Sequence, residues 1–186
     1  QLHHAAQFGT AAGISFVPAR PDDSHANLEW VSALRALLSV PLTGASTIRV
    51  GVRVADLTLL VTDGANSVQR SFSLNGHTIA EAVAWTKPVL CVAGLEGARY
   101  TLERHYEIPQ HEVASGSAFR VDGSAGFPEL AGWIGNGDRM LRALAAATPG
   151  ASAVRCWPHH FDIATLIDVA PGKTIGVGLE PGDGRA

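Results

Sequence analysis

The feature that most constrains this chain is the repeated pairing of short alternating segments across turn-forming residues. Residues 56–62 (Asp-Leu-Thr-Leu-Leu-Val-Thr) and 67–74 (Ser-Val-Gln-Arg-Ser-Phe-Ser-Leu) flank Asp63-Gly64-Ala65-Asn66. Alternation sends successive side chains to opposite faces of a strand, and Asp, Gly and Asn accept a sharp reversal, so a β-hairpin is predicted. The same logic joins 160–168 to 174–179 through Pro171-Gly172, after an apolar segment at 153–157. Tight hairpins make antiparallel neighbours, since a parallel pair needs a long crossover.

Helical periodicity appears between these segments. Leu2, Ala5, Ala6, Gly9, Ala12, Gly13 and Phe16 recur at steps of three and four and predict a helix over 2–16 with a face of small side chains, suited to close packing. Pro18, Pro21 and Asp22-Asp23-Ser24 end it in a turn. Thr78 and Glu81 form a capping-box pattern for a helix near 78–87, which Pro88 should end or kink. Leu130, Trp133, Ile134, Leu141 and Leu144 form one stripe over 128–147, where Gly135 and Gly137 each cost about 1 kcal/mol against Ala and imply close packing. Residues 24–31 read as a strand with Ala26, Leu28 and Trp30 on one side and His25, Asn27 and Glu29 on the other, residues 32–39 as a short helix, and 94–126 as an irregular excursion with one short strand. Strands mixed with non-crossover helices predict one α+β domain over 1–186, with a mainly antiparallel sheet of about five to six strands covered by about three helices.

The 186 residues, 46% of them hydrophobic and 17% charged, are enough for one core and exclude a disordered chain. Fourteen Lys and Arg against seventeen Asp and Glu lack the basic excess that neutralises phosphates, so nucleic acid is not an expected partner. No apolar run reaches the roughly 18 residues of a membrane span, and no secretory leader pattern opens the chain. A cytoplasmic protein without membrane contact is expected. Arg far outnumbers Lys, which occurs only at Lys87 and Lys173, and abundant Ala and Gly suggest a bacterial source. Cys91 and Cys156 belong to no CxxC pair and read as buried thiols.

Familiar catalytic signatures fail on inspection. Gly172-Lys173-Thr174 has Ile167 where a phosphate loop needs Gly, and Gly176-Val177-Gly178 lacks the third Gly and the helix of a dinucleotide fingerprint. Ser117 and Ser124 lie outside any Gly-x-Ser-x-Gly pattern. His111-Glu112 is followed by Ser115 where a zinc-protease helix requires His.

What remains is a cluster of His and carboxylate residues drawn from the chain's eight His. In Trp157-Pro158-His159-His160-Phe161-Asp162, an extended backbone from His159 onward puts His160 and Asp162 on one side, with His159 beside Trp157 on the other. Imidazole and carboxylate suit a divalent ion such as zinc, or a hydrogen-bonded acid–base pair. The polar face of 24–31 supplies partners. His25, His160 and Asp162 are candidate metal ligands, Glu29 the candidate general base, and Asn27, His159, His105 and His111 further ligand-binding candidates. Together they predict a pocket for a divalent metal or small polar molecule, with metal-dependent hydrolysis as its chemistry. The alternative is a non-enzymatic structural or interaction protein with a buried His/Asp network, in which the small-residue helix face packs a homo-oligomer. His3 and His4 are expected on the helix surface.

The run Trp157-Pro158-His159-His160-Phe161-Asp162, with Gly178-Leu179-Glu180-Pro181-Gly182-Asp183, Asp22-Asp23-Ser24-His25 and Ala55-Asp56-Leu57-Thr58-Leu59-Leu60, resembles a bacterial family of uncharacterised proteins sharing a domain of unknown function. The resemblance spans most of the chain and implies a single cytoplasmic domain. It implies no catalytic assignment. The family pattern continues past Pro-Gly-Asp into an aromatic, proline-rich tail that this sequence does not show, which predicts a shortened or a disordered C-terminus.

Overall fold

The computed structural model describes residues 1–123 and 126–180; Ser124 and the 181–183 part of the family pattern lie outside the described residues. The chain order is α1 (Leu2–Phe16), β1 (Leu28–Val31), β2 (Ala36–Ser39), β3 (Leu42–Thr43), β4 (Thr47–Arg53), β5 (Thr58–Asp63), β6 (Val68–Ser73), α2 (Ile79–Val92), α3 (Gly126–Ala147), β7 (Arg155–Trp157), β8 (Asp162–Ala170) and β9 (Lys173–Leu179). The strands form one antiparallel sheet in the order β6-β5-β4-β2-β1-β7-β8-β9, with β3 on β4.

The α+β class, the antiparallel pairing and the three helices match the expectation, but among the described residues the sheet has nine strands rather than five or six. The surplus is β2, β3 and β4: β2 lies where a short helix was expected, since 32–39 makes only a 3₁₀ turn, Ser32–Leu34, before Arg35 turns left-handed at φ +49°, and β3 and β4 follow where no element was predicted. All four β2 residues are buried, so no alternation marks them as a strand. The 24–31 strand shrinks to β1, because residues 24–26 form a 3₁₀ turn. The excursion after α2 contains 3₁₀ turns at Gly97–Arg99 and Glu112–Ser115, and in place of a strand it makes an isolated bridge from Phe119 to Asn75. Helix α2 has the full capping box, with Glu81 N donating to Thr78 Oγ1 (3.2 Å) and Thr78 N to Glu81 Oε2 (2.7 Å), and it runs past Pro88 to Val92.

Register partners assign the two faces of the sheet. Trp30, Leu37, Val52, Leu59 and Phe72 form one cross-strand ladder, continued by Leu28, Cys156 and Ile163. All three helices pack on this side, α1 over β2 and β4, α2 against β6, and α3 over β1, β8 and β9. Each fully buried Leu or Phe here contributes about 1.5–3 kcal/mol. Helix α1 is buried nearly all round, because the 100–123 excursion covers its outer side, where the buried Tyr100 hydroxyl donates to Phe8 O (2.9 Å). Gly13 lets α1 touch the 24–26 turn: a Cβ there would run into the His25 carbonyl.

The next residue along each strand points the other way. Glu29, Leu38, Gly51, Leu60 and Ser71 share the opposite face, which no helix covers among the described residues. Ala36, Leu38 and Leu60 are buried there as a small second cluster. The Arg49 side chain lies along this face, donating to Ser39 O (2.7 Å) and Asn66 Oδ1 (3.0 Å) and pairing with Glu29 (2.9 Å).

Candidate functional site: a groove at the β7–β8 hairpin

Residues 158–161 form the turn of the β7–β8 hairpin, closed by Phe161 N donating to Trp157 O (2.8 Å), with Phe161 left-handed at φ +60°. His159 and His160 therefore sit on a turn rather than on opposite faces of a strand. Their rings lie side by side, centroids 4.4 Å apart, beside Asp162 at the first strand position. Below the turn, on the uncovered face, is an open groove of about 600 Å³. Ala164, Gly176 and Gly178 leave its floor low, while Trp157, His159, His160, Asp162 and Glu180 supply the walls. Two of these glycines differ: a Cβ at Gly178 would come within 2.7 Å of Ala164 Cβ and Ile163 O, whereas one at Gly176 meets only Leu166, at 3.7 Å.

The groove contains carboxylates and rings but neither Lys nor Arg among its lining residues. Burial raises the Asp162 carboxyl above its ordinary value, with Glu180 adding repulsion, and the nearby His rings do not reverse this. Burial and the His160 ring lower His159, favouring its neutral form. A ring path leads away from the groove: Tyr106 is 5.8 Å from His159 and 5.3 Å from His105, whose Nε2 is 3.0 Å from Asp23 Oδ2. Burial pushes the Tyr106 hydroxyl up to about 12, and it donates to Gln7 Oε1 (2.8 Å).

The expected cluster divides. His160, Asp162 and His159 come together at the groove, and His105 reaches it through Tyr106. His25 does not: it is buried in the 24–26 turn, where Nδ1 accepts from Arg20 N (3.2 Å). Asn27 is buried beside it, Oδ1 without a partner. His111 caps the second 3₁₀ turn of the excursion, Nδ1 accepting from Val113 N (3.2 Å), and faces His4. Glu29 is placed on the open face, as the alternation required, yet it is unsuited to be a base. Burial raises its pKa, but Arg49, Arg155 and Arg142 outweigh that and hold it below the ordinary carboxylate range. His25, His160 and Asp162 do not converge, and no group of three or more metal-ligating side chains does so among the described residues.

Several site-building residues were not anticipated. His3 and His4, expected on a surface, lie against loops: His3 Nε2 is 2.8 Å from Pro158 O and its ring stacks on Phe161, while His4 Nε2 is 3.0 Å from Pro109 O. Gln7 donates to Pro158 O (3.1 Å), so α1 holds the hairpin turn from beneath. Nothing in the local sequence signals this, since the partners are about 150 residues away, at |i−j| of 151 and 155. Cys156 is buried, its thiol pushed up by burial, but Cys91 is exposed, contrary to expectation. No helix among the described residues is long and apolar enough to cross a membrane. In comparisons with known proteins, no family, no curated protein and no solved structure matches this chain, so the resemblance carried by the tryptophan-proline-histidine-histidine run rests on those residues alone.

Proposed function

We propose that this is a ligand-binding protein whose groove at the β7–β8 hairpin takes a small polar molecule bearing a cationic amine. The observation behind this reading is the composition of the groove wall: two carboxylates, Asp162 and Glu180, with the Trp157 indole and, among the described residues, no cationic side chain. Carboxylates pair with an ammonium group, an indole face attracts it, and the low glycine floor leaves room for the rest of the molecule. An ammonium ligand also relieves the raised Asp162, because its charge favours the ionised carboxylate.

The metal-dependent hydrolase reading loses its proposed general base to the Arg49 ion pair and its His25 ligand to the Arg20 backbone. The structural-network reading fits His3, His4 and His25, each with a ring nitrogen engaged by the main chain, but not His160, which stands exposed at the groove.

The test is a titration with spermidine and putrescine, followed by backbone amide NMR shifts. Saturable shifts confined to 157–164 and 176–180, lost in Asp162→Asn and in the groove-filling Gly176→Val, are expected. Shifts that persist in both variants, or none at all, would overturn the proposal.

A further inference from the structure

A second cavity, of about 500 Å³, lies between α3 and the turn that follows β1, and it shares no residue with the groove. Three guanidiniums line it, those of Arg35, Arg139 and Arg142, against one carboxylate, Asp138. That carboxylate is already engaged. Asp138 is 3% exposed, and Arg142 Nε donates to both of its oxygens (2.9 and 2.8 Å). Arg142 Nη2 also reaches Trp30 O (3.3 Å) and lies 3.5 Å from Glu29, so its position is fixed from three sides. Arg139 donates to Asn136 Oδ1 (3.1 Å) and Arg35 to Pro128 O (2.9 Å), and neither has an ion-pair partner among the described residues. The cavity wall is therefore cationic in excess.

The floor is formed with equal economy of side chains. A Cβ at Gly132 would meet nothing within 4 Å, and one at Gly135 would touch the Trp30 indole at 3.4 Å, so this stretch of α3 presents backbone to the cavity. Trp30 lines the cavity at 4% exposure, and its buried Nε1 has no hydrogen-bond partner among the described residues. A buried donor without an acceptor costs about 1–3 kcal/mol, and such a group in a native fold asks for a reason.

We propose that this cavity is a binding site for a small phosphorylated molecule, its phosphate or diphosphate group held by Arg35, Arg139 and Arg142. Guanidinium forks match the paired oxygens of a phosphate better than an ammonium does, and the excess of positive charge suits a group carrying two or more negative charges. The cavity exceeds the size of a bare phosphate, leaving space over Gly132 and Gly135 for the remainder of the ligand.

The experiment is calorimetric titration of the intact chain with pyrophosphate and with inorganic phosphate at low and physiological salt. Saturable one-site binding of pyrophosphate, tighter than phosphate, is expected. Arg139→Gln should weaken it at least about tenfold, and Gly132→Asp, which sets a carboxylate in open space in the cavity, should abolish it. Lys173→Gln on β9 removes an equal charge elsewhere and should leave binding unchanged, while thermal melts confirm that each variant is folded. Absence of saturable binding, or equal losses in Lys173→Gln and Arg139→Gln, would overturn the site.

Discussion

The two faces of the sheet are built from the same strands, one residue out of step, and they carry opposite duties. Trp30, Leu37, Val52, Leu59 and Phe72 lie under three helices, whereas Glu29, Leu38, Gly51, Leu60 and Ser71 lie under none among the described residues, α3 only reaching round to Glu29 through Arg142 (3.5 Å). On the first face, side-chain volume decides stability. On the second, only a small cluster of Ala36, Leu38 and Leu60 is buried, and beyond it small residues and charges leave room for the groove. The difference teaches that alternation in these strands encodes a division between core and site, and a one-residue slip would exchange them.

The sharpest way to break this comparison is to empty one position on each side. Leu37→Ala should cost about 2–5 kcal/mol in urea unfolding, through lost burial and the cavity left behind. Ser71→Ala, exposed on the other face, should stay within about 0.5 kcal/mol. Equal costs would mean that the uncovered face is as tightly packed as the covered one.

A smaller effect separates the two glycines of the groove floor. Gly178→Val forces a side chain against Ala164 and the Ile163 carbonyl and should cost about 1–3 kcal/mol by thermal denaturation. Gly176→Val finds ordinary contact with Leu166 and should melt near the wild-type temperature. If both variants are equally unstable, β8 and β9 are closer than the groove requires.

The smallest effects concern pH, and they have opposite signs on the two sides. His4, on the covered side, is lowered from its ordinary 6.5 chiefly by burial. The unfolded chain then binds more protons, so this contribution is present above pH 6.5 and is lost as pH falls through the folded value. Asp162 is raised, so the fold favours its protonated form, and that contribution is lost as pH rises through the raised value. In urea midpoints measured across pH, His4→Gln should soften the acid loss. Asp162→Asn should gain on the wild type at neutral pH and lose that advantage in acid. The reverse order for Asp162→Asn would show an ionised carboxylate held by partners rather than penalised by burial.

The hairpins, the capping box at Thr78 and the small-residue helix α1 were legible because each is signalled within a few residues. Strand β4 was legible too, in the alternation of Ile48, Val50 and Val52 with Arg49, Gly51 and Arg53, but it was passed over. Strand β2 gave no such signal: Ala36-Leu37-Leu38-Ser39 favours a helix by propensity, and only pairing with β1 and β4 makes it a strand. At the site, the sequence identified Trp157, His159, His160 and Asp162 as a group but misjudged the backbone joining them, since a left-handed Phe161 is rare and unmarked. It united His25 with that group on chemistry alone, and Arg20 claims His25 locally.

Helix α1 precedes every other described element in the sequence, yet several of the groups that hold it come late. Its ties run to Tyr100, Pro109 and Pro158, at sequence separations of 92, 105 and 155. The sheet partners β2 and β4 follow α1 closely, but the excursion and hairpin that cover and anchor it are far along the chain, and closing such long loops is slow. Helix α1 is therefore covered on its outer side only after the rest of the described fold is in place, and until β7 and β8 have formed their hairpin that apolar side is open to aggregation.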